Sequence, residues 1–397
     1  MLRKSPFHER TSQFCTSMNW KDWAGYYAVA SYDTNHDQEY FAYRHAAGLM
    51  DATPLFKYEV KGPDSLNLLS RIMAKDIGKL RLGRVTYCCW CDDDGKILDD
   101  GTVARLGMDH FRVTAAEPFL HWFLQNARTL NVTIEDITAK FGILALQGPL
   151  SREILVHAAG GEVATLRFFR LIETRIDGRN VTITRTGYTG DLGYEIWCGN
   201  SDAIAVYDAL IESGKNYQIM PAGLAALDVA RIEAGFIMNG VDYFSANHCL
   251  IDSQKSTPYE LGLGWSVNLE RDCFIGQKAL QAEKETGSSW QFVGLEYDWE
   301  AFEEIFARFD LPPQTHSGAW RTAVPVYGRS GKQVGQATSG AWSPTLKKNL
   351  ALASLRNDDY SKGDALFIEV TAEYERKRCP VRVSDPMFFN PERKRGK

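Results

Sequence analysis

Apolar and polar positions alternate along this chain in short runs separated by glycine turns, and two of those runs are built alike. Tyr58-Glu59-Val60-Lys61 meets Gly62-Pro63 and is followed over 64–73 by apolar residues at three-to-four spacing. Ile143-Leu144-Ala145-Leu146-Gln147 meets Gly148-Pro149 and is followed by the same spacing over 150–159. A period of two that gives way to 3.6 predicts a strand, a turn and an amphipathic helix. Its repetition predicts two related α+β units within one N-terminal region. Between them, Val85 to Trp90, Gly101 to Leu106 and Phe111 to Thr114 read as strands, the first two flanking the turn at Asp92-Asp93-Asp94-Gly95. Residues 202–213 and 222–234 read as helices, divided by Gly214 and Pro221. Beyond Phe292 the pattern becomes short strands and turns (324–328, 333–337, 365–370), which predicts a separate small β domain. The division is therefore 1–285 and 286–397. Residues 298–320 read as an insertion, helical at its acidic start and irregular after Pro312-Pro313.

One hairpin stands apart. Val181-Thr182-Ile183-Thr184 enters and Tyr194-Glu195-Ile196-Trp197 leaves, with Gly187, Gly190 and Gly193 spaced by three between them. This spacing predicts a tight tip whose backbone can approach another group closely. Tyr188 and Glu195 place polar groups on that rigid frame. A carboxylate so placed can accept two hydrogen bonds from a flat amidine-like edge, such as that of a pterin or guanine. As an ordinary hairpin residue, Glu195 would simply face water. A second carboxylate feature is Asp99-Asp100, after the turn at Gly95. On a strand these two point to opposite faces, so one of them can face a cavity; a solvated turn is the plainer reading.

Composition narrows the function classes. With 397 residues, 44% apolar and 24% charged, the chain reads as a globular protein of two or three domains. A net charge of −5 argues against nucleic acid and against a polybasic membrane contact. The basic run Arg393 to Lys397 reads as a solvated terminus. No apolar run approaches the ~18–20 residues a membrane span needs, and residues 1–22 lack the apolar core of a secretory signal. Eight cysteines in so long a chain make no disulfide framework, so a reduced, cytoplasmic setting is expected. Cys88-Cys89-Trp90-Cys91 has no second cysteine pair at metal-ligand spacing, so packed thiols on a buried strand are expected and no metal.

Arg185-Thr186-Gly187-Tyr188-Thr189-Gly190-Asp191-Leu192-Gly193-Tyr194-Glu195 resembles the R-T-G-Y-T-G-E-x-G-[FY]-E signature of the glycine-cleavage T-protein family, tetrahydrofolate-dependent one-carbon transferases. Val60 to Asp64, Gly95 to Asp100, Pro221 to Gly235, and Gly335 to Leu346 resemble its other motifs in the same order. The resemblance implies a T-protein-like α+β fold of several domains, two α+β units around a folate site, and a C-terminal small β-barrel. It implies that Asp100, with Tyr87 beside it, is catalytic near the folate nitrogens. It further implies that Tyr87 and Tyr188 border the folate, that Glu195 takes the pterin edge, and that Trp265 lies against a flat ring. Thr114 falls where an asparagine contacting folate is usual, and Arg393 where a C-terminal arginine reaches the glutamyl tail.

Departures bear on the reaction. Leu227 stands where the family helix carries arginine, and it offers neither charge nor donors. Thr114 offers one hydroxyl in place of an amide. Asp51-Ala52-Thr53-Pro54 replaces D-V-S-H-M, and the 298–320 insertion is added. These changes favour a demethylase that moves a methyl group from a small O-, N- or S-methylated donor to tetrahydrofolate, giving 5-methyltetrahydrofolate. Retention of both Asp99 and Asp100 favours the alternative, the aminomethyltransferase of glycine cleavage served by a lipoyl carrier protein. A non-enzymatic folate-binding regulator is the third reading.

Overall fold

The two strand-turn-helix units occupy equivalent places in two sheets. A computed structural model describes residues 2–360 and 363–396. In the first unit the strand Phe56–Lys61 lies between His110–Ala115 and Thr133–Asp136, in a five-stranded sheet that continues through Ile97–Gly107 to Val85–Cys91. In the second, Phe141–Gln147 lies between Gly193–Gly199 and Ala47–Asp51 in a six-stranded sheet. The turns repeat as well as the strands. Gly62 and Gly148 have φ of +126° and +128°, and a Cβ on either would come within 2.6 Å of a carbonyl oxygen. That geometry is open to glycine and closed to other residues. Each following helix, Ser65–Ile72 and Ser151–Ala159, buries one apolar face: Leu68, Leu69 and Ile72 in the first, Ile154 and Leu155 in the second.

The sheets meet edge to edge. Val85 N–H donates to Phe169 O and Leu171 N–H to Gly83 O, both at 3.1 Å, around a bridge between Arg84 and Arg170. Strand alternation then separates the cysteines: Cys89 and Cys91 join the central core, whereas Cys88 and Trp90 pack beneath the outer helices.

Six strands from Trp290 to Ser384 close a C-terminal barrel. The segment read as an insertion begins with the helix Trp299–Ala307, capped by Asp298, whose side chain accepts from Ala301 N–H at 3.0 Å. Phe302, Ile305 and Phe306 bury its apolar face in the barrel core. No regular element follows until Val324, although Trp320 is bridged to Gly340. Buried polar groups bind the barrel to the rest. Arg44 donates to Glu233 at 2.6 and 2.9 Å, and Glu233 also accepts from Tyr40 and from Ser343 of the barrel, each at 2.5 Å. Among the described residues no helix is long and apolar enough to cross a membrane.

Candidate active site

Asp100 sits opposite Cys89 in the pairing of Ile97–Gly107 with Val85–Cys91, next to a register shift at Trp90/Cys91. Its carboxylate is held at both oxygens by phenols. Tyr87 Oη donates to Oδ2 at 2.7 Å, and Tyr243 Oη makes a short hydrogen bond to Oδ1. Asp99 is sealed from solvent. Its Oδ2 accepts from Ala116 and Glu117 N–H at 2.9 and 3.0 Å. Its Oδ1 accepts from Asp100 N–H at 2.9 Å and from Asn239 Nδ2 at 3.0 Å. Alternation thus holds for burial, with Asp99 closed and Asp100 half-buried. Both carboxylates nevertheless meet Tyr243, whose oxygen lies 3.4 Å from Asp99 Oδ1.

No lysine, arginine or histidine among the described residues forms an ion pair with either aspartate. Burial pushes both carboxyls upward. For Asp99 the neighbouring Asp100 charge adds to it, and for Asp100 the two phenols pull the other way. Burial and the Asp100 charge also hold both phenols well above their ordinary range, so they remain protonated donors.

Aromatic rings line the approach. Tyr87 stacks on Trp265 with centroids 6.0 Å apart and planes 23° apart, and Trp265 is 63% exposed. Lys75 Nζ lies 4.6 Å from the Trp265 ring centroid. Tyr188 stacks on Phe236 at 5.6 Å and donates to Ile237 O.

The same face of the first sheet continues toward Glu195. Thr102 and Ala104 follow Asp100 at two-residue intervals, and with Arg112, Thr114, Thr184, Glu195, Val85, Leu171 and Trp197 they line a narrow cleft. Gly101 lets the strand pass, since a Cβ there would stand 2.0 Å from Thr114 O. The Thr114 hydroxyl is 2.8 Å from that of Thr102. Glu195 is thinly partnered: Thr184 Oγ1 lies 3.5 Å away, and that hydroxyl also bonds Thr186 Oγ1 at 2.6 Å. Burial pushes the Glu195 carboxyl up, with the two threonine hydroxyls opposing.

Two expectations change. The hairpin tip is not tight: residues 185–192 separate Arg179–Thr184 from Gly193–Gly199. Gly187 and Gly193 make room for the Gln147 side chain, which a Cβ at either would meet at 1.9 or 2.2 Å. The basic terminus is docked rather than solvated. Arg185 donates to the carbonyls of Arg393, Lys394 and Gly396, and Lys394 is buried with Nζ 4.6 Å from the Phe236 ring centroid; Lys397 lies outside the described residues. The Arg393 fork is spent on Asp191, at 2.6 and 2.7 Å.

Leu227 packs in the central core, and its neighbour Asp228 accepts from Arg231 at 2.8 Å and from Arg321, past the insertion, at 2.7 Å. Tyr243, Asn239 and Arg321 carry no sequence signal of their own. Each reaches its aspartate across 93 to 143 residues of chain.

Comparison with known proteins fits this geometry. Residues 6–271 match the model of the GCVT N-terminal domain, and 309–390 that of the glycine cleavage T-protein C-terminal barrel domain. An aminomethyltransferase of Halothermothrix orenii is 33% identical over 84% of this chain and 87% of its own length. A trimethylamine-oxide aldolase of Ruegeria pomeroyi is 33% identical across the whole of this chain, which spans 48% of that protein. In three dimensions, glycine cleavage system aminomethyltransferase T of Bartonella henselae aligns over 98% of this chain and 99% of its own with a TM-score of 0.82, at 24% identity.

Proposed function

The chain belongs to the glycine-cleavage T-protein family, as a tetrahydrofolate-dependent one-carbon transferase, and on that premise we propose that it demethylates a small, positively charged N- or S-methylated donor to give 5-methyltetrahydrofolate. The observation that carries this reading is the pair formed by Asp99, sealed from solvent, and half-buried Asp100, with which no cationic side chain among the described residues forms an ion pair. A buried charge without a counter-ion is costly, and a cationic ligand relieves that cost. Tyr87, whose phenol meets Asp100, adds an aromatic ring for such a cation, while Trp265 already has Lys75 Nζ 4.6 Å from its centroid.

The residues fit tetrahydrofolate. Glu195 is a half-buried, thinly partnered acceptor in a cleft whose walls at Val85, Leu171 and Trp197 are apolar. In this reading Glu195 takes the pterin N–H edge, while Thr114, Tyr188 and the Tyr87–Trp265 stack border the rest of the folate. When bound, tetrahydrofolate supplies a nucleophilic ring nitrogen. Asp100, fixed beforehand by two phenols, stabilises the positive charge that passes from the donor to that nitrogen, at no cost of reorganisation.

Aminomethyl transfer from a lipoyl carrier is the second reading, favoured by the names of most relatives, the Halothermothrix orenii enzyme among them. Mass spectrometry of the folate product separates the two. Incubation with tetrahydrofolate and a panel of methylated ammonium and sulfonium donors is expected to yield 5-methyltetrahydrofolate. Methylenetetrahydrofolate formed only with an aminomethylated lipoyl carrier would establish the second reading instead.

A further inference from the structure

We propose that Tyr243 is a positioning residue for the transfer: it fixes Asp100 as an oriented, ionised carboxylate. The inference rests on the role given to Asp100 above. Tyr87, on the neighbouring strand, engages Oδ2 alone, and one hydrogen bond leaves a carboxylate free to turn about its Cβ–Cγ bond. The second phenol, on Oδ1, fixes the plane.

Tyr243 arrives on a segment built for rigidity. After the helix Leu224–Glu233, Met238 N–H donates to the Asp242 carboxylate at 2.9 Å, and Gly240 N–H to Tyr243 O at 2.8 Å. Asp242 also accepts from Arg231 at 2.5 Å, and from Thr338 and Ser339 of the barrel at 2.6 and 2.7 Å. Ala246 N–H donates to Ile97 O at 2.9 Å, closing the segment onto the strand that bears Asp100. Thus the barrel, through Asp242, steadies a side chain in the centre of the first unit.

Asn239, on the same segment, donates to Asp99 Oδ1 at 3.0 Å. The Tyr243 proton therefore goes to Asp100, whose oxygen is the nearer. The titratable groups facing Asp100 are Asp99, Tyr87 and Tyr243, with Cys88, Cys89 and Tyr188 beyond them. Lys75 Nζ donates to Tyr87 O at 3.3 Å and Arg231 acts on Tyr188, but neither forms an ion pair with Asp100, so the two phenols are the side chains that favour its ionised form against burial.

The test uses Tyr243→Phe in the full chain, with a carbon-13 NMR titration of aspartate-labelled protein beside steady-state kinetics. Removing one donor to a carboxylate is expected to raise the Asp100 midpoint by about one pH unit and to lower kcat about ten- to hundredfold, with the acid limb of the pH profile moving up. Tetrahydrofolate affinity by calorimetry should stay within about twofold, because Tyr243 does not line the Glu195 cleft.

Difluorotyrosine at 243 keeps the shape of the ring but donates more strongly, so the midpoint should move the opposite way. An unmoved midpoint in both variants would overturn the proposal. So would a Tyr243→Phe protein that loses folate affinity and kcat in equal measure, which marks a structural role. The NMR midpoint reads the clamp without any donor, so a failed demethylase reading leaves this test intact.

Discussion

Two carboxylate regions, Asp100 on the first sheet and Glu195 on the second, are treated in opposite ways. Asp100 has a phenol on each oxygen and a second, fully hydrogen-bonded aspartate behind it. Glu195 has threonine hydroxyls as its side-chain partners, one of them at 3.5 Å, and opens on a cleft. A saturated carboxylate is an organised fixed charge, ready for a transition state in which charge moves. An unsaturated one has hydrogen-bonding capacity left for a ligand. In the proposed function, the contrast gives rate to the first region and affinity to the second.

The sharpest way to break that contrast is Asp100→Asn, which removes charge and little volume. Turnover should fall about a hundred- to a thousandfold, while calorimetric folate affinity and the thermal midpoint stay near wild type. Retained turnover would remove Asp100 from the chemistry. Glu195→Ala should act on the other quantity, weakening tetrahydrofolate binding about tenfold or more, because the ligand's N–H groups lose their acceptor. At saturating folate its kcat should hold within about threefold; a kcat collapse would merge the two regions into one. A smaller effect is expected for Trp265→Ala. The indole is mostly exposed, so stability should be unchanged, but loss of its stack should weaken folate binding about two- to tenfold in a fluorescence titration.

Much of this frame is legible in the sequence because its causes are local. The Gly62-Pro63 and Gly148-Pro149 turns declare themselves: their φ values demand glycine and the helices after them bury a regular stripe. Asp100, Tyr87 and Glu195 lie on strands with clear alternation. What escapes is long-range. Tyr243 meets Asp100 across 143 residues and Arg321 meets Asp228 across 93, and nothing in Val241-Asp242-Tyr243-Phe244 or Trp320-Arg321-Thr322 marks either meeting. The glycines of the 185–193 segment are legible as glycines that admit a close neighbour, but the neighbour is Gln147, from another strand.

Arg393 gives the finest test of the same contrast, because it is a cation expected at the folate tail whose donors are already engaged. Its fork closes on Asp191, a buried carboxylate that also accepts from Leu192 N–H at 2.7 Å and lies 3.9 Å from Arg44 Nη1. A guanidinium bound in this way has its best-oriented donors occupied. Arg393→Gln should therefore change tetrahydrofolate affinity by about twofold or less, and by the same factor for tetrahydropteroate, which lacks the glutamate. A loss confined to the glutamylated ligand would mean that Arg393 leaves Asp191 when folate binds, and Asp191, flanked by Arg44, could tolerate that exchange. Paired titrations of the two ligands decide between a cation that anchors the docked terminus and one that also takes the tail.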